Sequence, residues 1–220
     1  MRVTAPVQNQ RYPQALLLGS LAIVIILIAL APVFGRLLNS LPAVLFLLIV
    51  YWVGILSLAM VAAPRATLAA LYRTPVNRRP LELALTWLPV VATFLLVFFP
   101  SASRVPLSAL AVIAVIAIMN GMVEELFWRG AFQSVFQNNF LLAYIYPSVL
   151  FSLWHVALAL LPEVRYPHGP IALIGGASAL GLAWGWVVWR TRDLRSVSIA
   201  HAMTNFFAFV GPALLTGWVP

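Results

Sequence analysis

Two of the five acidic residues in this 220-residue chain are adjacent, Glu124 and Glu125 in NGMVEELFWRG (120–130), with Arg129 one turn beyond. His155 in FSLWH, and His201 with Asn205 in HAMTN, sit in two later apolar runs. Ionisable groups inside membrane segments cost about 2.5–3.5 kcal/mol each on insertion scales, so they are read as functional by default. A carboxylate withdrawn from water is a stronger base, suited to deprotonating a water molecule held by an imidazole. An imidazole and an amide one helical turn apart can donate hydrogen bonds to a carbonyl oxygen as it becomes an oxyanion. Together these groups suit hydrolysis of an amide or ester. The chain has neither G-x-S-x-G, the mark of a serine nucleophile, nor H-E-x-x-H.

Helical geometry assigns partners. Successive residues lie ~100° apart around a helix, so Glu124 and Glu125 are expected to face different partners. Glu125 and Arg129 are i,i+4 with the acid first, the favourable order for an ion pair. Glu124 then points elsewhere with its proton free to be used, and Asn120, one turn earlier, orients it. Phe151, one turn before His155, walls that side of the site.

The elements that must position these residues are membrane helices. The chain is 63% hydrophobic and 8% charged, far from the roughly 25% charge of soluble domains. The apolar residues come in blocks of about 20, enough to cross ~30 Å of hydrocarbon. We expect an all-α, polytopic transmembrane bundle forming a single membrane domain over 1–220. Its seven expected spans are 14–34, 41–63, 81–100, 106–128 with room for the helix to continue, 141–161, 171–190 and 196–217. No short apolar core with a small-residue cleavage site marks the first as a signal peptide. The chain has no cysteine, which excludes disulfides and thiolate metal sites.

All 13 basic residues are arginine. With a cytoplasmic N-terminus, Arg2, Arg11, Arg65, Arg73, Arg78, Arg79, Arg190, Arg192 and Arg195 fall inside and Arg36, Arg104 and Arg165 outside, as the positive-inside rule prefers. That rule, and not nucleic acid, accounts for the net charge of +8. In this topology Glu124 lies about 27 Å along the fourth span and His201 about 8 Å into the seventh, both in the inner half. His155 falls nearer the middle. A shared site opening to the cytoplasmic side is expected, in the plasma (inner) membrane.

Other features carry less chemistry. Trp184, Trp186 and Trp189 beside Arg190 read as an interfacial belt. Ala177, Gly181 and Gly185, at four-residue spacing, read as close helix packing. The basic, Pro-flanked stretch 64–80 reads as an interfacial linker with a short amphipathic helix. Glu82, Glu163 and His168 are expected at the surface.

E-E-x-x-x-R, F-x-x-x-H and H-x-x-x-N, in that order on separate apolar spans over residues 105–210, resemble the CPBP family of intramembrane proteases. These are the type II CAAX prenyl endopeptidases and the bacteriocin-processing or immunity (Abi) proteins. The resemblance implies a catalytic core over 105–210, in which Glu124 and His155 activate water and His201 and Asn205 form the oxyanion hole. Glu125 and Arg129 complete the first motif. It also implies a membrane-associated protein or peptide as substrate.

Two subtypes stay open. In the favoured one no cofactor is used, since Asn205 is a poor zinc ligand and a natural oxyanion donor. In the other, Glu124, His155 and His201 hold Zn as a metalloprotease site. Outside proteolysis, the rivals are polar glue between helices, a proton-coupled transporter, and a binding or immunity protein that keeps the fold without the chemistry.

Overall fold

The structure is a computed structural model that describes residues 11–75 and 79–219. Among the described residues it is all helical, with eight helices, seven of them long and apolar enough to cross a membrane. These are α1 (Arg11–Leu37), α2 (Ser40–Ala62), the short α3 (Arg65–Arg73), α4 (Pro80–Phe98), α5 (Leu107–Phe136), α6 (Leu141–Ala159), α7 (Gly169–Thr191) and α8 (Leu194–Leu215). The seven expected spans correspond in order to α1, α2 and α4–α8. The largest difference is α5, which runs eight residues past the expected end at 128, to Phe136. Its wide π-helical turn at Leu126–Ala131 carries the chain through the motif without a break.

Short connections make neighbouring spans antiparallel, so the bundle has two distinct ends. One carries Arg36, Arg104 and Arg165, and Trp218 there donates to Ser40 Oγ at 2.8 Å. The other carries Arg65, Arg73, Arg79, Arg190, Arg192 and Arg195. At this arginine-rich end, α3 is the amphipathic helix expected in 64–80. It buries Leu71 in a cluster with Trp184, Val188, Leu194 and Val197, while its arginines stay outside. Asp193 caps α8 by accepting from the Ser196 backbone N–H at 3.0 Å.

Glycines set the closest approaches. A Cβ on Gly121 would lie 2.7 Å from the Ala202 backbone nitrogen, so α5 and α8 touch backbone to backbone at that level. On α7, a Cβ on Gly181 would meet Phe151 at 3.0 Å, and one on Gly185 would meet Ser148 at 2.8 Å. That is the helix packing expected of this small-residue stripe.

Two expectations are corrected here. Trp184 is not interfacial: it is fully buried, with its ring 4.7 Å from that of His201. Its place on α7 faces the bundle, whereas Trp186 and Trp189 lie against Arg190 and Arg192. Glu82 is 6% exposed instead of surface-lying. It sits in the first turn of α4, where the helix dipole favours a carboxylate. Glu163 and His168 are exposed.

Candidate active site

Span α5 ends its regular helix at Glu124 and Glu125, both fully buried. Arg129 donates to Glu125 Oε1 at 2.7 Å, the expected i,i+4 pair. Its second nitrogen reaches the Gly181 carbonyl at 3.4 Å, and its guanidinium stacks over the Phe151 ring at 4.4 Å. Arg129 thus ties α5 to both α6 and α7.

Glu124 is held by side chains from four helices. Tyr51 donates to Oε1 at 2.8 Å and Trp154 Nε1 donates to the same oxygen at 2.9 Å. Asn120 donates to Oε2 at 2.7 Å, as expected, and is itself fixed by Trp52 at 2.8 Å. His201 Nε2 lies 3.3 Å from Oε2, the longest of the four contacts. Trp128 in turn donates to the Tyr51 oxygen at 2.6 Å. A carboxylate has about four acceptor positions, and this one has a partner near each. The expected free carboxylate is therefore an engaged one.

The two glutamates share a partner, contrary to the expectation from their ~100° separation. His201 Nδ1 is 2.7 Å from Glu125 Oε1 while its Nε2 faces Glu124. The helix does splay the carboxylates apart, but an imidazole has a nitrogen on each side and spans the gap. Gly121 makes this reach possible by letting the His201 turn of α8 seat directly against α5. The cluster of Glu124, Glu125, Arg129 and His201 is electroneutral when one proton is shared between His201 Nε2 and Glu124.

His155 directs its hydrogen bond to its own helix. Nδ1 lies 2.8 Å from the Phe151 carbonyl. A carbonyl can only accept, so Nδ1 carries the proton and Nε2 presents a lone pair. The ring packs against Phe151 at 4.8 Å and Trp154 at 6.0 Å. Phe151 is the expected wall, and it also meets His201 at 6.0 Å.

A cavity of about 580 Å³ adjoins the cluster, lined at its blind end by Asn120, Phe151, Trp154, His155, His201 and Asn205. Glu124 lies behind Asn120, Trp154 and His201 and does not line it. Two buried polar atoms on its α8 wall lack partners, Asn205 Nδ2 and Thr204 Oγ1. Thr74, Thr86, Thr93 and Thr191 each return their hydroxyl to the carbonyl four residues back. Thr204 does not, which leaves its hydroxyl available to a ligand.

The cavity runs from the site to the end bearing Arg36, Arg104 and Arg165. Its walls there are Leu41, Thr93, Ala109, His168, Ala213 and Trp218. The sequence expectation put the opening at the arginine-rich end, whereas the lining residues lie toward the other end. At that end the Leu71–Trp184–Leu194 cluster and the aromatic packing of Trp128 with Phe127 and Phe132 close the bundle.

The zinc trio does not fit this arrangement. Among the described residues no group of three or more His, Asp or Glu side chains is placed to hold a metal ion. Both His201 nitrogens face carboxylates, and Glu124 is occupied by N–H and O–H donors.

Tyr51, Trp52, Trp128, Trp154 and Thr204 were not singled out by sequence reasoning. For the four aromatic residues the available signal was the polar handle on the ring, which requires a partner when buried.

Residues 106–207 match the family model described as Type II CAAX prenyl endopeptidase Rce1-like. No curated protein and no solved structure matches the chain. The matched segment spans α5 to the middle of α8, including Glu124, Glu125, Arg129, His155, His201 and Asn205. The chain is an integral membrane protein with seven membrane-length helices, and its segment 106–207 is similar to the type II CAAX prenyl endopeptidase family of intramembrane proteases.

Proposed function

We propose that this chain is a glutamate-type intramembrane endopeptidase of the plasma membrane, its catalytic core over 105–210 of a single membrane domain, cleaving a membrane-associated protein or peptide. The observation that carries this reading is the convergence of His155, His201 and Asn205 on the blind end of one cavity, with Glu124 directly behind it.

Water entering the cavity is oriented by the lone pair on His155 Nε2. Glu124 takes its proton at Oε2 when His201, its longest contact, turns from that oxygen toward the cavity. The oxygen attacks the peptide carbonyl, and the new oxyanion accepts from His201 Nε2–H and Asn205 Nδ2–H. Collapse breaks the C–N bond, and Glu124 returns the proton to the departing amine. Glu125 and Arg129 position His201 from its far side. No step is routed through a metal.

The engaged state of Glu124 favours one second reading, a non-hydrolytic binding or immunity member that uses the same carboxylate as scaffold. Comparing peptide termini in native membranes carrying wild type or Glu124→Gln at matched levels separates the two. Termini that vanish in the variant support hydrolysis and name the substrate. Unchanged termini with a retained wild-type phenotype sink it.

A further inference from the structure

We propose that the cavity receives its substrate from the non-cytoplasmic face of the membrane, as a hydrophobic peptide segment inserted end-on. The inference rests on the protease reading for what is bound, but not for which face is open.

Three observations carry it. The cavity lining extends from the site toward one end only, to Leu41, His168 and Trp218, and exposed Val112 and Gly176 border it on that same half. That end carries three arginines, whereas the sequence places nine at or beyond the opposite helix ends. Arginine is retained on the cytoplasmic side of short loops, and all of these loops are short. The arginine-rich end is in turn closed beneath the site by Leu71 of α3 packed on Trp184 and Leu194. An access route from the cytoplasm would have to pass through that cluster and the Glu125–Arg129 pair.

The walls define the occupant. Between that end and the polar end the lining is apolar, with Val44, Ile113, Leu173, Leu180 and Phe209 among its side chains. From Ala213 to His201 the cavity follows α8 for about 18 Å. An extended chain at ~3.3–3.6 Å per residue covers that depth in about five residues. The scissile bond is therefore expected about five apolar residues from the point where the substrate leaves the surface. An exported or translocated peptide meets these terms, and a cytoplasmic one meets the closed end.

The chain has no cysteine, so single thiols report position cleanly. Ser103→Cys marks the loop at the open end, Asn138→Cys the exposed loop at the arginine-rich end, and Ala208→Cys the cavity wall. A membrane-impermeant maleimide is applied to intact spheroplasts and to lysed membranes. Ser103→Cys and Ala208→Cys are expected to react in intact spheroplasts, and Asn138→Cys only after lysis. Reaction of Asn138→Cys but not Ser103→Cys in intact spheroplasts overturns the proposal. So does an Ala208→Cys that reacts only after lysis.

Repeating the labelling in Glu124→Gln keeps this result independent of catalysis. A quenched fluorogenic hydrophobic peptide added to right-side-out and inverted vesicles then tests the occupant. Faster cleavage in right-side-out vesicles, lost in Glu124→Gln, is expected, and faster cleavage in inverted vesicles overturns it. Absence of cleavage in both, with the labelling as expected, overturns the protease reading alone.

Discussion

Tyr51 and Glu124, 73 residues apart in the chain, share a buried 2.8 Å hydrogen bond that couples α2 to the motif helix. The Tyr51 ring also stacks on Trp154, centroids 3.9 Å apart, and Trp154 donates to the same Glu124 oxygen. A helix outside the family-matched segment thereby helps fix the carboxylate on which the proposed chemistry depends.

Tyr51→Phe removes that donor and leaves Trp128 Nε1 without its acceptor. A buried polar group left unpaired costs about 1–3 kcal/mol, which thermal unfolding in detergent will register as a lower Tm. Tyr51 does not line the cavity, so KM should hold while kcat falls about tenfold, the equivalent of ~1.4 kcal/mol. A raised KM with unchanged kcat would remove Tyr51 from the positioning of Glu124.

Gly121→Ala tests the close approach that brings His201 to both glutamates. Its Cβ would sit 2.7 Å from one backbone atom of Ala202 and 2.8 Å from another, which cannot rotate away. Overpacking of this kind costs about 1–3 kcal/mol and should displace α8 enough to abolish cleavage. Gly175→Ala, which meets nothing within 4 Å, is the matched control and should be neutral or slightly stabilising.

The spans and the polar constellation were legible because both rest on strong local signals. Twenty apolar residues can do little but cross a bilayer as a helix, and an acid or imidazole inside one is conspicuous. The ion pair of Glu125 with Arg129 followed from helical spacing alone. The sharing of His201 did not, because it depends on how α8 docks on Gly121, a tertiary fact. Tyr51 and Trp154 were hidden for another reason: aromatic residues in membrane spans read as interfacial or core, and only the fold shows where their polar atoms point. The direction of the cavity was likewise unreadable. The depth of Glu124 and His201 along their spans says how far they lie from each end, but not which end the packing of α3 and Trp184 closes.

Arg129 offers a test of what holds the cluster together. Its guanidinium pairs with Glu125, reaches the Gly181 carbonyl and covers Phe151 at once. Arg129→Ala leaves Glu125 with His201 as its one side-chain partner and removes the guanidinium that balances its charge, and breaking a buried pair in this way costs about 3–5 kcal/mol. Arg129→Lys keeps the charge without the planar fork and should recover part of the stability but little of the activity. Unfolding midpoints and turnover measured on the same preparations check both, and full activity in the lysine variant would show that charge alone is needed.

Asn205 and Thr204 are the donors on the cavity wall with nothing to bind, and an oxyanion would give them a partner. If Asn205 Nδ2 stabilises the oxyanion, its bond forms in the transition state and not with the resting carbonyl, so its loss falls on kcat. Asn205→Ala should lower kcat by about 10²–10³ while KM moves little, the range seen when a single oxyanion donor is removed. Thr204→Val is nearly isosteric and removes only the hydroxyl. A hydroxyl that binds substrate throughout the reaction should show its loss in KM, with kcat close to wild type. Because neither side chain has a protein partner to lose, both variants should fold with unchanged Tm. Steady-state kinetics on a fluorogenic peptide separates the roles, and equal losses of KM and none of kcat in both variants would make the pair a ground-state binding wall instead.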